Sequence, residues 1–185
     1  MSRPRLISDA NVFHAVRGLL AQGGPRAVSF ASVAARSGLS APSLVQRYAS
    51  RDAMVQAALL DGWDILERRT EAALLACAQS PKGALALLKA FSGEDIAHPV
   101  SDIRVLSGEL SDPVLRQRAA LWHNHMVGAL ASRLAGGTKG SKAAARDAAE
   151  MLFAAWQGRL HWSATAQTGF RLKDLVARLS VVANA

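Results

Sequence analysis

The side chains best equipped for chemistry cluster between Ser29 and Arg51, in SFASVAARSGLSAPSLVQRYASR. This stretch carries hydroxyls at Ser29, Ser32 and Ser43, an amide at Gln46, and guanidinium groups at Arg47 and Arg51. Such groups bind rather than break bonds. Hydroxyls and arginines hold phosphate oxygens. An amide can donate and accept together at a base edge, with adenine its best two-point partner. Ala41 and Pro42 are suited to apolar contact, for instance with a thymine methyl. The chemistry to expect is recognition of double-stranded DNA.

Other chemistries are poorly served. His123 and His125 stand two apart, so on a helix they point in different directions. His161 lacks a histidine or acidic partner four residues on, and Cys77 is the only cysteine. No phosphate-binding GxxxxGK[ST] loop, GxSxG elbow or HExxH motif occurs, and Ser141 and Ser163 have no local His/Asp framework. The expectation is a non-enzyme with no catalytic residue, no metal and no cofactor. A lone cysteine excludes an internal disulfide and fits a reducing cytoplasm. Its plainer role is a small core residue in an Ala/Leu helix.

The elements that must position the polar cluster are two short helices and a tight turn. Ser29 is a good N-cap ahead of Phe30, Val33 and Ala34, which recur at helical spacing. Gly38 can end that helix with positive φ and no Cβ clash. Ser40 then caps a second helix, with Pro42 in its first turn, where a missing N–H costs little. Leu44 and Tyr48, four apart, anchor this helix from one side, leaving Ala41, Ser43, Gln46 and Arg47 on the other. This is the layout of a helix-turn-helix whose second helix enters the major groove.

The segment from Val12 to Met54 resembles the DNA-binding domain of the TetR family of bacterial repressors. The matching residues are Ala15, Leu19, Leu20, Gly24, Val28-Ser29, Val33-Ala34, Gly38-Leu39-Ser40, Ser43-Leu44, Tyr48, Ser50-Arg51-Asp52 and Met54. One position departs: Val45 replaces the usual tyrosine, which in the family commonly contacts phosphate. That contact is lost or passes to Arg47. The resemblance implies an all-helical fold of about nine helices. Residues 1–48 would form the three-helix DNA-binding domain and 49–185 a ligand-binding and dimerisation domain.

Composition agrees with nucleic-acid binding without requiring it. The 185 residues are half hydrophobic, Ala- and Leu-rich, with a formal charge of +8. From Met1 to Asp52 seven arginines face two aspartates, a net of +5, so most of the excess lies in the first third. Such charge gives sequence-independent, salt-dependent affinity for DNA. Arg3 and Arg5, in an arm before the first helix, are placed to reach phosphates or a minor groove, or form only a basic tail. No apolar run reaches the ~18 residues of a membrane span, and the N-terminus has no signal-peptide h-region. A cytoplasmic protein is expected.

The spacing predicts a first helix over Ser8–Gln22 and one long helix from Ser50 to about Ala78. In the resembled family this long helix joins the two domains, and its tilt sets the spacing of the reading heads. A helix capped by Ser80 and begun by Pro81 follows. His98-Pro99 is read as a break, with a short helix around Ile103 to Leu106. Asp112-Pro113 starts a helix to about Leu134. Ala135–Lys142 is read as a basic loop, and Thr168-Gly169 as the break between helices over Ser141–Ala166 and Phe170–Val182.

Trp63, Phe91, Trp122, Met126 and Trp156, with His125, are candidates to line a small-molecule pocket; Asn124, Gln157 and His161 would add polar groups. Each tryptophan alone has a plainer role as core. The resemblance implies an inducer and a homodimer built from the last two helices, with Ala148, Leu152, Ala155, Leu172, Leu175, Val176 and Leu179 at the interface. Packing within one chain is the alternative. A ligand-responsive regulator, most often a repressor, follows by resemblance. Two rivals stand beside it: a DNA binder with no ligand, and a helical protein-interaction adaptor, for which Val45 leaves room.

Overall fold

The computed structural model describes residues 8–92, 99–108, 111–136, 141–162 and 171–184, without the side chains of 99–102 and 161–162. Nine α-helices and no strand occur among them. These are α1 (Asp9–Gly23), α2 (Phe30–Ser37), α3 (Ala41–Tyr48), α4 (Arg51–Ala76), α5 (Pro81–Lys89), α6 (Pro99–Gly108), α7 (Pro113–Ala135), α8 (Lys142–Trp162) and α9 (Leu172–Val182), with a 3₁₀ turn at Pro25–Ala27. None of the described helices is long and apolar enough to cross a membrane. The chain divides into two compact units, one running to Leu66 and taking in Ser101–Leu115, the other comprising Glu67–Val100 and the chain from Arg116 on.

In the first unit α1 buries Val12, Ala15, Val16, Leu19 and Leu20, the expected stripe. It packs on α2 and on the 3₁₀ turn, and α2 packs on α3. Val33, Leu44, Met54, Ala58 and Trp63 complete this core from α2, α3 and α4. A fully buried Val or Leu side chain contributes roughly 1.5–3 kcal/mol, so Val33 and Leu44 help to seat two eight-residue helices that would not form alone. α1 also buries Arg17. Its Nη1 donates to the Ala58 carbonyl at 2.9 Å and to Asp61 Oδ2 at 2.7 Å. Its charge, counted above in the basic excess of the first third, is therefore met inside the unit.

In the second unit α9 packs on α5 and α8. Ser80 Oγ accepts from Gly83 N at 3.2 Å, and Pro81 opens α5 as its position predicts. The core is an aromatic chain: Phe91–Trp122, Trp122–Phe153 and Phe153–Trp156, with centroids 6.3, 5.7 and 5.4 Å apart. Edge-on and tilted pairs of this kind add to the burial of their rings. Two tryptophan N–H groups of this core are satisfied, Trp122 by Thr70 Oγ1 at 2.8 Å and Trp156 by Ser92 Oγ at 3.0 Å. Arg133 is almost fully buried, and its Nη2 donates to the carbonyls of Leu74 and Cys77 at 2.8 and 3.0 Å. A cation is favoured there, where the last carbonyls of α4 lack helical partners.

Pro99 opens α6, a first helical position at which proline gives up no hydrogen bond, and the short helix expected around Ile103 to Leu106 runs from there. His98, the loop residues 137–140, Thr168-Gly169 and Phe170 lie outside the described residues.

Candidate nucleic-acid interface

The turn between α2 and α3 is set by three residues. Ser29 and Ser32 form a reciprocal capping box: Ser32 N donates to Ser29 Oγ at 3.0 Å and Ser29 N to Ser32 Oγ at 2.9 Å. Gly38 ends α2 at φ 78°, a left-handed conformation that a side chain would strain. Ser40 then caps α3, accepting from Ser43 N at 3.3 Å. Leu44 is fully buried, and the half-buried Tyr48 ring lies 6.1 Å from that of Phe13. With α3 seated by these two, Pro42, Ser43, Val45, Gln46 and Arg47 are exposed and Ala41 is half-exposed. Val45 is 46% exposed, so its departure from tyrosine places a branched apolar group on the outward surface.

Three polar ties fix this surface from behind. Arg47 Nη1 donates to Asp9 Oδ1 at 3.1 Å, and the Tyr48 hydroxyl donates to the same oxygen at 2.5 Å. Burial pushes the Tyr48 phenol up to about 12; the hydrogen bond and negative charge of Asp9 add to this, and Arg47 opposes it. Arg51 spans three acceptors: the carbonyls of Val28 at 2.9 Å and Pro25 at 2.5 Å, and Asp52 Oδ1 at 2.7 Å. It thereby ties the start of α4 to the segment before α2. Between α3 and α4, Ala49 sits at φ 60°, ψ −43°, and Ser50 N donates to the Tyr48 carbonyl at 2.6 Å. This is a γ-turn of the strained hand, unusual for a residue with a Cβ.

The predicted DNA-contact residues thus fall into groups. Ala41, Pro42, Ser43, Gln46 and Arg47 share the α3 surface. Ser29 and Ser32 stand at the start of α2 with their hydroxyls engaged in the cap, and Arg51 is held by its carbonyls. Arg3 and Arg5 lie outside the described residues. Sequence reasoning missed the pairing of Asp9 with Arg47 and Tyr48. Asp9 stands 38 residues before Arg47, and no local pattern signals such a contact.

The predicted ligand residues are divided between the two units. Trp63 belongs to the first unit and the other five to the second. Phe91, Met126 and Trp156 are buried in core packing. Trp122 and His125 do meet at a concave surface of about 250 Å³, together with Glu67, Thr70, Glu71 and Leu121. A neighbouring groove of about 480 Å³ shares Glu71 and His125 and adds Asn124 and Leu75. His125 Nδ1 lies 3.7 Å from Glu71 Oε1. The His161 side chain lies outside the described residues, while Gln157 is half-buried on α8. Of the predicted interface residues, Ala148, Leu152, Val176 and Leu179 are buried within this chain, and Ala155, Leu172 and Leu175 are half-buried. Among the described side chains of the same two helices, Met151, Val181 and Val182 are the exposed large apolar ones.

Residues 12–58 match the family model for bacterial regulatory proteins of the tetR family. No curated protein sequence matches the chain. Among solved structures, a TetR-like transcriptional regulator from Rhodococcus sp. RHA1 is similar at 16% identity and a TM-score of 0.71, covering 98% of this chain and 96% of its own. A protein from Saccharomonospora viridis, described as a transcriptional regulator and solved with choline, is similar at 16% identity and a TM-score of 0.73, covering 94% and 93%. The multidrug binding protein EbrR, solved with malachite green, is similar at 21% identity and a TM-score of 0.62, covering 97% and 98%. At these identities the likeness is one of fold.

Proposed function

We propose that this chain, whose residues 12–58 match the tetR family model, is a ligand-responsive repressor of that family, cytoplasmic, that binds a palindromic operator as a homodimer. The DNA-binding part is residues 1–48 and the ligand-binding and dimerisation part 49–185. The observation that carries the proposal is the open surface of α3, held by Leu44 and Tyr48 and presenting Ser43, Val45, Gln46 and Arg47 outward. A helix so presented fits the major groove. Gln46 would meet a base edge, and Ala41, Pro42 and Val45 would supply apolar contact. Ser43 and Arg47 would hold phosphates, with Ser29 and Ser32 beside them at the N-terminus of α2, where N–H groups favour an anion. Arg51 would contribute less to that set, since its guanidinium is already bonded.

The effector would bind the second unit. Two proteins of similar fold were solved with small organic molecules, choline and malachite green. In this chain the concave surface at Trp122, His125 and Glu71 is where an effector would sit. Binding there would favour a state released from DNA, shifting a pre-existing equilibrium. A partner subunit would meet α8 and α9 at the exposed Met151, Val181 and Val182, together with the half-buried Ala155, Leu172 and Leu175.

The test is binding to a duplex as salt is raised, for the wild type and Arg47→Ala. The expected result is salt-dependent affinity by the wild type. The variant should bind every sequence more weakly, and its log–log salt slope should be shallower by about 0.9, the value of one phosphate contact. An unchanged slope removes Arg47 from the phosphate set. No binding by the wild type at low salt puts the adaptor ahead.

A further inference from the structure

Asp9 is an acidic side chain tied to the reading helix. A single oxygen, Oδ1, accepts from Arg47 at 3.1 Å and from the Tyr48 hydroxyl at 2.5 Å. The side chain of Asp9 is 57% exposed and that of Arg47 30%, so the pair stands in reach of solvent and of an approaching polyanion. An anion beside a phosphate-binding arginine ought to repel DNA, yet it sits where the phosphate set is expected. We propose that Asp9 is a resident counter-anion for α3: in the free protein it holds Arg47, and on DNA a backbone phosphate takes Arg47 from it while Tyr48 keeps it bonded.

Three features support the hand-over, which rests on the DNA-binding function proposed above. The two donors share one oxygen, so losing Arg47 leaves Asp9 with a full hydrogen bond instead of an orphaned charge. Asp9 stands in the first turn of α1, where the helix dipole stabilises a carboxylate whether or not Arg47 is present. Tyr48 is anchored independently by its ring packing on Phe13, so the hydroxyl stays in place when the arginine leaves. The guanidinium is thus kept ordered before DNA arrives, and an exposed ion pair is weak enough for a phosphate to displace.

The hand-over predicts coupling between two substitutions. Binding of a labelled duplex would be measured for the full-length wild type, Asp9→Asn, Arg47→Ala and the double variant. Asp9→Asn should tighten binding by about two- to five-fold, the range of an exposed ion pair. In the Arg47→Ala background the same change should have almost no effect. A gain of equal size in both backgrounds would mean general charge repulsion and overturn the hand-over, as would weaker binding by Asp9→Asn.

A second readout does not need DNA. Tyr48 is the only tyrosine in the chain, so its alkaline titration is observable by absorbance. Its midpoint, raised first by burial and then by Asp9, should fall in Asp9→Asn because the charge and acceptor that hold the proton are weakened. An unmoved midpoint would overturn the pairing in the free protein. Absence of duplex binding by all four proteins, with the tyrosine shift present, would overturn the DNA-binding function and the hand-over with it. Failed coupling with wild-type binding intact would overturn the hand-over alone.

Discussion

Ala49 illustrates how single residues set this surface. Its φ of 60° and the short Tyr48–Ser50 bond close the turn between α3 and α4. A Cβ at such a φ costs on the order of 1–3 kcal/mol, and glycine would relieve most of it at a smaller cost in unfolded-chain entropy. Ala49→Gly should therefore raise stability by about 1 kcal/mol, seen as a higher midpoint in chemical unfolding; a lower midpoint would contradict the strain. Residue roles were only partly legible. The caps Ser29, Ser40 and Ser80 follow from side-chain chemistry acting over three residues. The bonds of Arg47 to Asp9 and of Arg51 to the Val28 carbonyl span 38 and 23 residues and depend on how α1, α3 and α4 pack.

Elements with one apolar side were legible; those with two were not. α1 and α3 each carry one stripe, and the buried residues match it. α8 carries apolar residues such as Met151 and Ala154 beside its main stripe as well as Arg146, Asp147 and Glu150, so its sequence did not say which apolar residues face inward. The structure turns Ala148 and Leu152 into the core and leaves Met151 61% exposed. The same limit applies to α9, where Val176 and Leu179 face in and Val181 out. The loop before α5 shows a different constraint. A Cβ on Gly83 would lie 1.7 Å from the Ala78 carbonyl oxygen, a backbone atom with little room to move. Gly83→Ala should destabilise by roughly 1–3 kcal/mol or more, lowering the thermal midpoint; an unchanged midpoint would show that the loop can shift.

Charge and symmetry belong to the whole molecule. A formal charge of +8 favours any polyanion, so affinity for DNA alone would say little about a regulator. Sequence preference is the sharper property, because it requires base edges to be read by α3 and a two-fold dimer to repeat the half-site. The most direct measurement is selection of bound sequences from a random duplex library at near-physiological salt, run in parallel for the wild type and Gln46→Ala. The wild type should return a palindromic consensus. The variant should return the same palindrome with one position in each half-site relaxed, equivalent to about 1–3 kcal/mol of lost discrimination. An identical consensus from both proteins, or none from the wild type, would contradict the placement of α3 against base edges.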